Sequence, residues 1–164
     1  MILIGLGANL PSEQGGPQAT LEAALEALEA EGVRVLARSR WYRSAPVPPS
    51  DQPWYVNAVA SVATTFGPAE LLQLLHRIES RLGRQRRMRN EARPLDLDLL
   101  DYDGRVVEQD EIILPHPRLH ERAFVLLPLA ELAPDWVHPR LGSTVKDLIA
   151  ALPRDASAEP MPPR

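Results

Sequence analysis

Arg93-Pro94-Leu95-Asp96-Leu97-Asp98-Leu99-Leu100 decides how the rest of the chain is read. Side chains alternate along a strand, so Leu95, Leu97 and Leu99 fall on one face and Asp96 and Asp98 on the other. As a strand, this stretch closes a series of strand, helix, strand, strand, helix, strand that begins at Ile2. That order is the split βαβ plan, and it predicts an α+β fold: a ferredoxin-like βαββαβ sandwich with an appended strand and C-terminal helices. The stretch also carries charge where a buried strand should have none. Its two carboxylates lie roughly 7 Å apart at their Cα atoms. They repel each other and are costly to bury unpaired. A divalent cation removes both objections, because Mg²⁺ takes one or two carboxylates together with water and substrate phosphates. A bare Asp-x-Asp also fits a solvated strand face, or aspartates paired with nearby arginines.

Immediately upstream, Gly67-Pro68-Ala69-Glu70 is a helix start, with proline at the first helical position and an acid in the first turn. Leu71, Leu75, Ile78 and Leu82 form its apolar stripe, and Gly83 stops it. Residues 54–65 are β-branched and apolar, which predicts a strand. Four prolines between 43 and 53 forbid a sheet ladder there and predict a loop. Residues 33–42 alternate, with Val33, Val35, Ala37 and Trp41 opposing Arg34, Arg38 and Arg40, the pattern of one strand with a wet face. Gly16-Pro17 opens a helix over Leu21, Ala24, Leu25 and Leu28, which Gly32 ends. Ile2 to Leu6 is a short central strand. It ends in Gly5-Leu6-Gly7, but Leu10 stands where a dinucleotide fingerprint needs its third glycine, so that site is excluded.

Downstream, residues 101–104 predict a turn and 112–114 a short strand. Residues 117–132 read as a helix broken by Pro128. Ser143 or Thr144 caps a last helix that runs to Leu152. Residues 1–152 are expected to form a single catalytic domain, and 153–164, rich in Pro and Ala, a frayed tail.

Cysteine is absent, which excludes disulfides, thiolate metal sites and a cysteine nucleophile. No run reaches the ~18 apolar residues needed to span a membrane, and 1–7 lack a basic signal region, so a cytoplasmic protein is expected. Net charge is −4, yet the basic residues cluster: Lys146 is the one lysine, and seven of the seventeen arginines lie between 77 and 93. Such a segment in an acidic chain suggests a local anion site, and arginine's planar fork suits phosphate oxygens. Arg84, Arg86, Arg87, Arg89 and Arg93 fall between Gly83 and the Asp strand with almost nothing apolar to anchor them. The segment is therefore expected to be mobile when empty and ordered by an anion. No glycine-rich phosphate loop exists, so bound phosphates need arginines and metal. A second cluster spans 114–124, where His116 sits between two prolines at the expected mouth of a helix. Arg118 and Arg122, four apart, repel unless each meets an anion.

Gly7-Ala8-Asn9-Leu10, Trp41-Tyr42-Arg43-Ser44, Asp51-Gln52-Pro53-Trp54-Tyr55-Val56-Asn57, residues 93–98, residues 115–124 and Pro128-Leu129-Ala130-Glu131 together resemble the 6-hydroxymethyl-7,8-dihydropterin pyrophosphokinases of folate biosynthesis. The similarity is collinear from Ile2 to about Leu152. It implies transfer of the β,γ-diphosphate of ATP, the co-substrate, to the hydroxymethyl group of a reduced pterin, with release of AMP. By this resemblance Asp96 and Asp98 bind two Mg²⁺ ions, and the catalytic set is Arg84, Arg93, Asp96 and Asp98. His76, Glu79, Arg84, Arg93, Leu99, His116 and Arg122 correspond to ATP-binding positions. The pterin then lies between the rings of Tyr55 and Phe124, with Asn57 and the backbone about Ser44, Ala45 and Val47 reading its amide edge. The chain departs from the family pattern at His76, where a glutamine is expected, at Asn90-Glu91-Ala92, at Pro94 and at Pro117. A monomer acting on small molecules is expected, with no nucleic-acid or membrane partner. Two alternatives from the residues alone are an RNA-binding ferredoxin-like module and a two-metal phosphohydrolase.

Overall fold

β1 (Ile2–Ala8) is buried along its whole length because strands flank it on both sides and helices cover both its faces. In this computed structural model, which describes residues 1–46, 49–51, 53–83 and 95–162, the chain runs β1, α1 (Pro17–Ala30), β2 (Arg34–Arg38), β3 (Tyr42–Ser44), β4 (Tyr55–Ala63), α2 (Pro68–Leu82) and β5 (Asp96–Tyr102). There follow β6 (Val107–Gln109), β7 (Ile112–Leu114), a 3₁₀ turn (Leu119–Glu121), α3 (Ala123–Leu132), α4 (Val145–Ala150) and β8 (Glu159–Pro160). The main sheet is six-stranded, in the order β5-β1-β4-β3-β8, with β2 also paired to β4. Its pairings are antiparallel, as a βαββαβ sandwich requires.

Alternation along β1 and β5 divides the core. Ile4, Leu6, Leu97 and Leu99 pack with Leu21 and Leu28 of α1 and Leu71, Leu75 and Ile78 of α2. Leu3, Val59 and Leu100 pack with Leu126 and Leu129 of α3 and Leu148 of α4. Leu95, Leu97 and Leu99 are at most 4% exposed. Each contributes on the order of 2 kcal/mol by leaving water, which holds β5 in the register that turns the aspartates outward.

Local signals placed α2 correctly at both ends. Glu70 Oε1 accepts the Gly67 N–H (3.2 Å), and Gly83 ends the helix, its N–H donating to the Glu79 carbonyl. Thr144 rather than Ser143 caps α4, its hydroxyl accepting the Asp147 N–H. Four expectations need correction. Residues 33–42 are not one strand: a bulge between Val35 and Ala37 leaves Leu36 without a cross-strand partner and 55% exposed, and beyond it Ser39, not Ala37, is buried. The hairpin partner of β7, the strand β6, was not anticipated. The helix expected over 117–132 breaks at Arg122, whereas Pro128 lies inside α3, where packing by Val125, Leu126 and Leu129 outweighs the lost backbone bond. The frayed tail is ordered at its far end: β8 pairs with β3, and the Met161 N–H donates to the Trp41 carbonyl at 2.8 Å.

Candidate active site

One rung of the sheet runs Asp96–Gly7–Asn57–Tyr42 across β5, β1, β4 and β3. The neighbouring pairings set Asp98 opposite Gly5 and Tyr55 opposite Ser44. All these positions share the face that α3 covers, and there the two glycines leave the strand bare. A Cβ on Gly7 would stand 3.0 Å from Asn57 Nδ2. The space so left is a cavity of about 180 Å³ lined by Gly5, Gly7, Ser44, Ala45, Tyr55, Asn57, Asp96, Asp98, Arg122 and Phe124. Tyr55 and Phe124 bring aromatic rings from β4 and the first turn of α3 to this one space. Ser44 Oγ donates to Asn57 Oδ1 at 2.7 Å, and both residues are buried. Asn57 Oδ1 is thereby engaged and its N–H₂ group remains the amide's donor toward the cavity, a fixed polarity.

β5 is the outer strand of the sheet, so its aspartates are also reached from the other side. There α2, the β6–β7 hairpin and His116 enclose a groove of about 300 Å³, lined by Leu72, His76, Glu79, Asp96, Asp98, Leu99, Asp110, Glu111, Ile113 and His116. His116 is brought in by its backbone, whose N–H donates to the Leu100 carbonyl at 2.9 Å. The start of α3 lies several residues beyond, so His116 is not at a helix mouth as expected.

Charge is concentrated where cavity and groove meet. Asp98 lies 3.8 Å from Arg122 Nη1 and 3.9 Å from His116 Nε2. Burial, with Arg122 and Arg118 nearby, pushes the His116 pKa down to about 4, so the ring is neutral at pH 7. His116 Nδ1 accepts the Arg118 N–H at 3.1 Å, which leaves the proton on Nε2, facing Asp98. Glu79 accepts the Leu97 N–H at 2.7 Å and so pins β5 between its two aspartates. Burial pushes the Glu79 pKa up to about 7; Asp96 and Asp98 add to the rise, and the bond from Leu97 opposes it. Asp96 and Asp98 raise the Glu79 pKa as like charges do, and a cation beside the two aspartates would offset that repulsion.

Of the residues named from sequence, Asp96 and Asp98 line both spaces. Ser44, Ala45, Tyr55, Asn57 and Phe124 line the cavity, and His76, Glu79, Leu99 and His116 the groove. Arg122, grouped with the ATP positions, lines the cavity at 3.8 Å from Asp98. Val47, Arg84 and Arg93, with the arginine segment around them, lie outside the described residues. Two groups of lining residues come from the structure alone: Gly5 and Gly7 as cavity floor, and Asp110, Glu111 and Ile113 as groove wall. Two glycines two apart in a buried strand are the signal for the first, since they strip one face of side chains. The second has no local signal.

Residues 3–134 match the family model described as 7,8-dihydro-6-hydroxymethylpterin-pyrophosphokinase. Over 150 residues the chain is 43% identical to a 2-amino-4-hydroxy-6-hydroxymethyldihydropteridine pyrophosphokinase of Methylorubrum extorquens, covering 91% of each chain. Over 148 residues it is 44% identical to a protein of the same name from Synechocystis sp., covering 90% of this chain and 73% of that one. Among solved structures, Plasmodium falciparum HPPK-DHPS with pteroate shares the fold at a TM-score of 0.69 and 13% identity. The match covers 91% of this chain and 43% of that one, so the chain spans less than half the length of this solved neighbour.

Proposed function

The chain belongs to the 7,8-dihydro-6-hydroxymethylpterin-pyrophosphokinase family, and we propose that its adjoining cavity and groove move the diphosphate of ATP onto 6-hydroxymethyl-7,8-dihydropterin. The observation that carries this assignment is that Asp96 and Asp98 line both spaces at once. A diphosphate passing from one substrate to the other must cross at that point.

The pterin occupies the cavity. Tyr55 and Phe124 supply two π faces, the Asn57 amide is oriented by Ser44, and the backbone at Ser44 and Ala45 meets the ring edge. ATP occupies the groove beside His76, Glu79 and Leu99, with its phosphates toward His116 and Arg122. Neutral His116 donates from Nε2 to a phosphate oxygen, and the Arg122 guanidinium donates from the cavity side. Arg84 and Arg93 complete the charge around the phosphates by the resemblance. The new bond joins the pterin hydroxymethyl oxygen to the β-phosphorus; the bond from that phosphorus to the α,β-bridging oxygen breaks, AMP leaves with that oxygen, and the hydroxyl proton passes to water. Positioning and charge neutralisation carry most of such a transfer.

Among the described residues no group of three or more His, Asp or Glu side chains is arranged to hold a metal alone. Mg²⁺ takes one or two carboxylates, with water and substrate phosphates as its remaining ligands. Asp96 and Asp98 are the residues that would hold it, with two ions expected, and Glu79 steadies the strand between them. When bound, the metal neutralises phosphate charge and orients the leaving group. A cytoplasmic monomer acting on these two small molecules, without nucleic-acid or membrane partners, belongs to the same proposal. Among the described residues no helix is long and apolar enough to cross a membrane.

The test mixes protein, ATP, Mg²⁺ and 6-hydroxymethyl-7,8-dihydropterin and separates the products by chromatography. Equimolar AMP and pterin diphosphate are expected. AMP formed equally without pterin would mark a hydrolase, and absence of AMP would overturn the assignment.

A further inference from the structure

The Glu131 carboxylate lies outside both the cavity and the groove. Glu131 is in the last turn of α3, about 10 Å along the axis from Phe124 at 1.5 Å per residue. Its Oε2 accepts the Arg40 backbone N–H at 2.6 Å. Its Oε1 accepts Arg40 Nε at 2.9 Å and the Tyr42 hydroxyl at 2.7 Å. Partial burial pushes the Glu131 pKa up, but these donors outweigh it and leave the pKa lowered, so the carboxylate stays ionised at neutral pH.

One partner is an exposed arginine and the other a buried tyrosine. Arg40 lies in the short link between β2 and β3, where the bulge has already interrupted the strand. Tyr42 is 5% exposed and opens β3; Ser44, two residues on, closes it and orients Asn57. β3 is therefore three residues long, with the cavity at one end and Glu131 at the other. α3 has the same arrangement, with Phe124 on the cavity and Glu131 at its far end.

We propose that Glu131 is a positioning residue for the pterin subsite: by accepting three hydrogen bonds from Arg40 and Tyr42 it locks α3 to β3 and sets the separation between Phe124 and Ser44–Ala45. This inference rests on the cavity being the pterin subsite. The groove is walled by α2, β5 and the β6–β7 hairpin, which Glu131 does not touch, so its loss is selective for one substrate.

The test compares Glu131→Ala, Glu131→Gln and Tyr42→Phe with the natural chain in steady-state kinetics varying each substrate, alongside thermal melting. Loss of a charge-assisted clamp is expected to raise the pterin KM about tenfold in Glu131→Ala, with ATP KM and kcat within about twofold. Glu131→Gln keeps an acceptor oxygen and is expected to recover part of the effect. Tyr42→Phe, which keeps the carboxylate and the fold, is expected to raise the pterin KM about threefold. Equal rises in both KM values, or an unchanged pterin KM in all three with only a lower melting temperature, would overturn the inference while leaving the proposed function standing. Absence of pterin-dependent AMP formation by the natural chain would instead bring down the proposed function, and this inference with it.

Discussion

Asp98→Asn keeps the shape of the side chain and removes its charge at the point where cavity and groove meet. In the empty protein the cost is small. Asp98 and Arg122 remain 28% and 26% exposed at 3.8 Å, and such a partly solvated pair contributes on the order of 1 kcal/mol or less. The melting temperature should therefore move by no more than about 4 °C. In turnover the cost is larger. At a separation like that of Asp98 from Arg122, one pair of unit charges is worth about 4 kcal/mol at an effective dielectric of about 20. A divalent cation facing a carboxylate loses at least this much attraction when the charge is removed. At 1.36 kcal/mol per decade, about 4 kcal/mol is close to three decades of rate. Screening and substitute waters reduce it, so a fall in kcat of about 10²- to 10³-fold is expected, with pterin KM within about threefold. The assay measures AMP and pterin diphosphate at saturating ATP and Mg²⁺, with folding checked by circular dichroism. A kcat within about tenfold of the natural chain, in a folded variant, would refute the role given to Asp98.

Gly7→Ala would set a Cβ 3.0 Å from Asn57 Nδ2, whose amide Ser44 holds in place. An overpacking cost of about 1–3 kcal/mol should appear as roughly 5- to 150-fold weaker pterin binding, and unchanged affinity in calorimetry would count against Gly7 as cavity floor. The two shifted pKa values make stability depend on pH in opposite senses. Glu79, raised from 4.5 to about 7, contributes stability that is full below pH 4.5 and lost as pH rises through 7. His116, lowered from 6.5 to about 4, contributes stability that is full above pH 6.5 and lost as pH falls through 4. In the metal-free protein, Glu79→Gln should flatten the fall in melting temperature from pH 5 to 8, and His116→Asn the fall from pH 6.5 to 4. Curves parallel to the natural chain's would reject these environments. Trp136→Phe removes the 2.8 Å donor to Asp101, a buried carboxylate that keeps the Gly104 N–H. Destabilisation of about 1–3 kcal/mol in urea, with both KM values unchanged, is the expected result, and a shift of either KM would contradict it.

Much of the local structure was legible in the residues because its causes are local. Gly67-Pro68 and Gly83 mark both ends of α2, Thr144 with Asp147 marks the start of α4, and alternation in 95–99 separates the leucines from the aspartates. From these elements the βαββαβ order follows, and with it the antiparallel sheet. Resemblance supplied the candidate site positions, but not which of the two spaces each would line. Arg122 lines the cavity, 3.8 Å from Asp98, while His76, Glu79 and His116 line the groove. Local rules failed where distant contacts compete with propensity. Pro128 sits within α3 because the helix packs on the sheet, and Glu159–Pro160 is a strand because the open edge of β3 accepts it.

By itself, the sequence determined β1, α1, α2 and β5 and which carboxylates share a strand face, because those depend on spacing of a few residues. Only the tertiary structure decided that Asp96, Gly7, Asn57 and Tyr42 form one rung and that Gly5 and Gly7 open a cavity beneath Phe124. Those neighbours come from four strands and a helix far apart in the chain, and their meeting is set by register and core packing, which no short window of residues encodes.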